Sequence, residues 1–376
     1  MVTIAAVGDI RIYRDDPDTA LAGVGDLIKA ADIAFCQSES SYSDKGSMGS
    51  SGPRGASPRD LKGYPAFAAA GFKVVSMASN HTMDWGRDAM LDCIERMRRD
   101  GMQTIGAGKD IDDARKPAFI EQDGVKIAFL GYCSVAPKGY YAVPGRAGVA
   151  PMRAITHYEA LEDDQPGTPP QVMTWPLERD LTALVDDVKG ARSQADVVIV
   201  SFHWGVHFIP IWVADYQPIV AHAVIDAGAD AILGHHPHIL KAIEVYQGKP
   251  IFYSLGNFAH DSMSVDEKKD DPAWRKQVQK TYRPFGTSGP GQYRKEVTAN
   301  YSVIANLEVT KDGVTAASVR PIQVNKRREP QPVSASSELG GEIVEHLRHI
   351  SHEVGMDTAL TVDGDNAVIK LDRTIH

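Results

Sequence analysis

Short apolar runs that stop abruptly at polar residues recur along this chain of 376 residues. Thr3 to Val7 predicts a buried strand, with Asp9 just past its end. Residues 19–31 carry Leu21, Val24, Leu27 and Ile28 on one side and predict a short helix. Ile33 to Phe35 predicts a second strand that runs into Cys36-Gln37-Ser38-Glu39. A helix over 61–70 and a strand from Lys73 to Met77 follow, the latter ending in Ser79-Asn80-His81-Thr82-Met83-Asp84-Trp85-Gly86. Met90, Ile94 and Met97 mark one face of a helix over 87–99, which Gly101 stops. Further strands are predicted at 125–131 and from Val197 to Val200, the second leading to Ser201-Phe202-His203-Trp204-Gly205. Helices over 178–189 and 215–227 bracket that strand, and Gly228 ends the second. Ala231 to Leu233 is one more buried strand, stopping at Gly234. Phe252 to Leu255 reads as another, after which Gly256 permits a close backbone approach.

The remaining stretches lack that periodicity. Ser40 to Pro58 is rich in Ser, Gly and Pro and predicts a long loop. Residues 261–297 are highly charged and read as an insertion, with Lys276, Lys280 and Arg283 close in sequence to the polar cluster before it. Ser302 to Val309 and Val314 to Val319 predict a hairpin through Asp312-Gly313. The division expected is a main domain over 1–325 and an appendage over 326–376, the latter with an amphipathic helix at 338–350 and a short strand at 368–372.

Composition narrows the function. The formal net charge of -9 argues against general binding to nucleic acid or to an anionic membrane. No run reaches the roughly 18–20 apolar residues of a membrane span, and the first ten residues lack the basic and apolar regions of an export signal. A cytoplasmic protein without a membrane anchor is expected. Cys36, Cys93 and Cys133 are far apart and predict no disulfide framework.

The candidate chemistry sits at the strand ends. Asp9, Glu39, Asn80 with His81, and His203 end four strands, and His235, His236 and His238 crowd the end of a fifth. Ligands of α/β sheets bind in the crevice outside the carboxyl ends of the strands, so residues far apart in sequence can converge there. An H-x-H pair on extended backbone would send both rings to one side, about 7 Å apart at the backbone. Mixed oxygen and nitrogen donors suit zinc, manganese or iron better than calcium or magnesium. Enough of them are present for two divalent ions sharing a carboxylate.

The segments GD at 8–9, SES at 38–40, SNHTMDWG at 79–86, SFHWG at 201–205 and GADAILGHHPHILKAIEVYQGKPIFYSLGNF at 228–258 resemble the bacterial capsule-synthesis, poly-gamma-glutamate-type proteins. That family is similar in fold to the calcineurin-like metallophosphoesterases. The resemblance implies a four-layered α/β/β/α sandwich, which the apolar pattern does not separate from one doubly wound sheet. It implies Asp9, Glu39, Asn80, His203, His236 and His238 as metal ligands, with Glu39 as the bridge. It makes His81 the histidine beside the substrate and Asp84 its orienting partner. His235 supports a ligand from behind or is itself a ligand; Arg11, Asn257 and His260 are further candidates behind the ligands or near the substrate. Arg11 stands where the phosphoesterase pattern carries a histidine, so the first metal lacks a ligand or recruits another.

The function expected is metal-dependent hydrolysis of a phosphoester or an amide-like bond in a small anionic substrate. Two alternatives stand beside it. One is a lyase or epimerase that uses His81 for proton transfer, and the other is a non-catalytic polymer-biosynthesis or assembly protein with a retained metal site.

Overall fold

Along the first strand, Val2–Arg11, alternation sends Ile4 and Ala6 to one face and Ala5 and Val7 to the other, and all four are buried. A strand buried on both faces needs a layer on each side. The computed structural model, which describes residues 1–48, 60–162, 164–261 and 300–371, supplies both. Ile4 and Ala6 join Ile33, Phe35 and Val74 against Ile127, Phe129, Ile199 and Leu233 of a second sheet. Phe35 and Phe129 stack across that interface at 6.1 Å. Ala5, Val7, Cys36 and Val75 face outward onto Phe67, Met90, Ile94 and Met97 of the helices Tyr64–Ala70 and Gly86–Arg99. The second sheet repeats the device, with Leu130, Val198, Val200 and Ile232 against Leu184, Val188, Val220 and Val224 of Glu178–Arg192 and Tyr216–Asp226. The result is helix, sheet, sheet, helix: a four-layered α/β/β/α sandwich with three apolar cores.

Among the described residues the first sheet has ten strands and the second six. In the first, Val2–Arg11, Ile33–Ser38, Val74–Ser76 and Gln103–Ile105 run parallel in that order. In the second, Val125–Cys133, Val197–His203, Ala231–His235 and Lys249–Phe252 do the same. Each parallel set presents its carboxyl ends, and the polar strand ends of both sets meet across the sandwich.

Several boundaries differ from expectation for local reasons. The helix expected over 19–31 is a 3-10 turn at Pro17–Thr19 and a short helix at Gly25–Ala30, because Gly23 and Gly25 interrupt it. The helix expected from 61 starts at Tyr64, with Pro65 in its first turn. The strand expected to stop at Val200 continues to His203, which makes that histidine part of the ladder. The hairpin is Tyr301–Thr310 with Gly313–Val324, longer than its apolar core suggests.

Residues beyond 325 build onto the first sheet. Asn366–Ile369 pairs with Gly313–Val324, and Leu360–Asp363 pairs with Asn366–Ile369. The helix Glu338–Glu353 is capped by Ser337, whose Oγ accepts from the Gly340 N–H, and it buries Ile343, Val344, Leu347 and Ile350 in the inter-sheet core. Cys36, Cys93 and Cys133 are buried and unpaired. Among the described residues no helix is long and apolar enough to cross a membrane.

Candidate metal centre

Close backbone packing sets the site. A side chain at Gly8 would meet the Gly256 carbonyl oxygen at 2.0 Å, so the strand end and the turn touch only because residue 8 is glycine. Gly256 takes φ +74°, and its carbonyl accepts from the Asp9 N–H at 3.0 Å. The next strand, Asn257–His260, then runs parallel to the end of Val2–Arg11, pairing Asp9 with Asn257 and Arg11 with His260. Asp261 holds that alignment by accepting from the backbone of Tyr13 and Arg14 and pairing with the Arg14 guanidinium. Glu39 follows Ile33–Ser38 directly, and its N–H donates to the Ile10 carbonyl at 2.9 Å.

The histidine-rich turn departs from the extended geometry expected of it. The strand ends at His235, and both His236 (φ +97°) and His238 (φ +59°) lie in the left-handed region. Such a backbone is strained for residues with a Cβ and survives only where its surroundings enforce it. The two rings therefore converge through a tight turn and not through strand alternation, with centroids 6.1 Å apart. Asp9 Oδ2 accepts from the His236 N–H at 3.1 Å, and Asn257 Oδ1 lies 2.9 Å from His238 Nδ1.

Glu39 occupies the centre. His203 Nε2 is 3.1 Å from its Oε1, His260 Nε2 is 2.7 Å from its Oε2, and His238 Nδ1 is 3.8 Å from its Oε2. Asn80 Oδ1 sits 2.7 Å from His203 Nε2. Two groups of metal-ligating atoms result, each within 4.8 Å: Glu39 with His203 and His236, and Glu39 with His238 and His260. Asp9 borders the second group, with Oδ2 3.7 Å from His238 Nδ1, and its Oδ1 is 3.2 Å from His235 Nδ1. The donor chemistry and the burial fit two divalent ions sharing one carboxylate. Nδ1 of His236 and Nδ1 of His203 are buried with no hydrogen-bond partner among the described residues, which is costly unless something else is bound.

Electrostatics prepare the same atoms. Burial opposes the charge on Glu39, yet His238, His203 and His260 outweigh it and hold the carboxyl well below its usual range. Burial lowers His236 well below the ordinary imidazole value, helped by His207, His203 and His238. His260 falls to about 4, burial prevailing over its bond to Glu39, and His207 falls to about 3 through burial and its histidine neighbours. Metal binding needs an ionised carboxylate and unprotonated imidazoles, and the shifts of Glu39, His236 and His260 all run in that direction.

The residues expected from sequence converge, with distinctions. Asp9, Glu39, Asn80, His203, His236 and His238 surround one centre. His235 is fully buried against Asp9 and the Phe35 ring, outside both ligand groups. His81 lies beside the cluster with Nδ1 2.9 Å from Asp84 Oδ2. Arg11 is buried with its guanidinium 6.0 Å from the Tyr13 ring centroid. Lys276, Lys280 and Arg283, with the rest of the 262–299 stretch, lie outside the described residues. Sequence reasoning missed His207, whose ring centroid is 3.9 Å from that of His236 and 5.1 Å from that of His238. Its signal was available as a second histidine four residues after His203.

Comparison with known proteins shows the family. Residues 3–262 match the family described as bacterial capsule synthesis protein PGA_cap. The PGA biosynthesis protein CapA of Bacillus subtilis (strain 168) is 36% identical over 193 residues, 50% of this chain and 43% of that protein. The capsule biosynthesis protein CapA of Bacillus anthracis is 33% identical over 196 residues, 52% of this chain and 42% of that one. Those matches thus take in less than half of either relative. Among solved structures, the calcineurin-like phosphoesterase YfkN from Bacillus subtilis overlaps 94% of this chain and 98% of its own at 12% identity and a TM-score of 0.39. The NAD nucleotidase NadN of Haemophilus influenzae overlaps 93% of this chain and 62% of its own at 11% identity and a TM-score of 0.40. Overlaps this loose say nothing about the chemistry of the site.

Proposed function

The chain belongs to the bacterial capsule synthesis family, and from that premise we propose that it is a metal-dependent hydrolase acting at a dinuclear centre on a small anionic substrate. The bond opened is a phosphoester or an amide-like bond. One observation carries this reading: Glu39 belongs to both groups of ligating atoms, the position of a bridging carboxylate. When bound, a pair of zinc, manganese or iron ions supplies Lewis acidity and lowers the pKa of water enough to provide hydroxide.

The protein's own residues do the rest. Glu39 would be shared by both ions, His203 and His236 with Asn80 would hold one, and His238 and His260 with Asp9 would hold the other. His260 supplies the nitrogen that Arg11 cannot, since the two residues are register partners on neighbouring strands. Asp84 holds the proton on Nδ1 of His81 and so leaves its Nε2 to exchange a proton with the leaving group. His81 is 8% exposed whereas Glu39 and His203 are 0%, so its ring stands nearer solvent than those two ligands do.

Elemental analysis of protein purified without added metal tests the centre, and turnover of phosphomonoester, phosphodiester and γ-glutamyl amide substrates tests the reaction. About two equivalents of transition metal per chain, with turnover lost to a chelator and restored by metal, are expected. Absence of any transition metal would sink the proposal. Exchange of a substrate hydrogen with solvent deuterium, without hydrolysis, would redirect it to a lyase or epimerase.

A further inference from the structure

The residues after His203 form a turn that folds back over the histidine cluster. Gly205, at φ +86°, donates its N–H to the Tyr216 hydroxyl at 2.8 Å. Phe208, at φ +58°, donates its N–H to the Pro237 carbonyl at 3.0 Å and lays its ring 5.6 Å from that of His238. Lys241 braces the far side. It is 2% exposed, and its Nζ donates to the carbonyls of Ile209 and Trp212, the latter at 2.8 Å. No carboxylate lies within ion-pair distance of it among the described residues. Burial pushes the Lys241 amine down to about 7, and spending that buried group on two loop carbonyls fixes where the turn sits.

The turn presents His207. The ring lies nearly parallel to that of His238, at 11°, and packs on His236. Its Nε2 is buried with no hydrogen-bond partner among the described residues, a cost that a bound group would remove. Yet His207 is absent from both groups of ligating atoms, although His236 and His238 each belong to one. A ring placed over two ligands, outside their coordination groups, with an unspent nitrogen beside them, is placed for something the metals hold.

We infer that His207 binds an anionic oxygen of the substrate, phosphate or carboxylate, and that Lys241 is the residue that positions it. The inference rests on the dinuclear reading above and assigns the part of that site that meets the substrate. A neutral imidazole donates one N–H to such an oxygen and adds no charge to a centre already rich in cations.

Calorimetric titration of metal-loaded protein with inorganic phosphate and, separately, with glutarate tests it, alongside metal content and thermal midpoint for each variant. The tighter anion identifies the group recognised. His207→Ala is expected to keep the wild-type metal content and to weaken the anion roughly 10- to 100-fold, the range of one hydrogen bond to a charged group. His207→Gln, which keeps a donor, should recover part of the loss. Lys241→Met should weaken the anion with metal content intact, and should add nothing when combined with His207→Ala. Three results overturn the inference: unchanged affinity in His207→Ala, loss of metal in His207→Ala to the extent seen in His236→Ala, or no binding of either anion by metal-loaded wild type. A wild type that takes up no metal overturns the dinuclear reading itself, and the inference falls with it.

Discussion

The two sheets bring opposite chemistry to the centre. The first contributes the oxygen donors, Asp9, Glu39 and Asn80, and its strand ends are locked by backbone bonds from Asp9 to Gly256 and from Glu39 to Ile10. The second contributes imidazoles, His203 from a strand and His207, His236 and His238 from turns with left-handed residues in them. Among the described residues His260 is the one nitrogen donor that the first sheet adds to the ligand groups, on the strand beside Arg11. Glu39 on the oxygen side is thus held ionised, while burial pushes His207 and His236 on the nitrogen side toward the neutral form. Neither sheet has a complete ligand set, so the centre exists only because the sandwich closes.

The largest break of that division is Glu39→Gln. An amide in place of the shared carboxylate removes the only ligand common to both groups. Metal content is expected to fall from about two equivalents to below one, with turnover reduced to background. Retention of both metals by this variant would show that the sheets do not meet at Glu39. The next effect in size separates holding metal from moving protons. His81→Asn is expected to keep most of the metal and to lower turnover roughly 10²–10⁴-fold, most for substrates with poor leaving groups. Equal turnover with matched metal occupancy would remove His81 from the mechanism.

The division between sheets was only half legible in the sequence. Asp9, Glu39, Asn80 and His203 stood out because each follows an apolar run, and strand ends gather ligands in any α/β sheet. That two sheets existed was not legible in the apolar pattern alone. Val197 to Val200 is buried on both faces, and such a run reads the same in a doubly wound sheet as in a sandwich. The H-x-H reasoning brought the two rings together by the wrong backbone, since the turn at His236 and His238 is set by Asp9 and Asn257 from the other sheet. His207 was missed for the same reason: its place depends on Lys241 and Pro237, contacts that exist only after folding.

A third test compares neighbours within the nitrogen side. His236→Ala is expected to lose metal, because His236 belongs to a ligand group with Glu39 and His203. His235→Ala, one residue earlier, is expected to keep it and to lower stability, since His235 packs on Phe35 and Asp9 in the buried strand end. Elemental analysis of both purified variants, with thermal midpoints, checks the pair. Full metal in His236→Ala together with loss in His235→Ala would move the coordinating register back by one residue.

The smallest effect expected is the pH dependence of the metal-free protein, and its sign follows from which side of the centre titrates. His207 and His260 are held at about 3 and 4, below the ordinary value of 6.5, chiefly by burial. In the unfolded chain these rings take up protons as pH falls below 6.5, while in the fold they stay neutral until pH 3 to 4. The unfolded state therefore binds more protons across that window, and stability declines as pH falls through it. Glu39 adds a loss of the same sign at lower pH, because its folded carboxyl lies well below 4.5 and the unfolded one protonates first. Thermal midpoints of chelator-treated protein should be level above pH 7 and fall progressively between about pH 6.5 and 4. Metal-loaded protein should hold its midpoint further into acid, since bound ions stabilise only the fold and keep the imidazoles neutral. A metal-free midpoint that stays level down to pH 5 would mean that the buried histidines are already protonated in the fold, and the nitrogen side would then lose the neutrality that distinguishes it from the oxygen side.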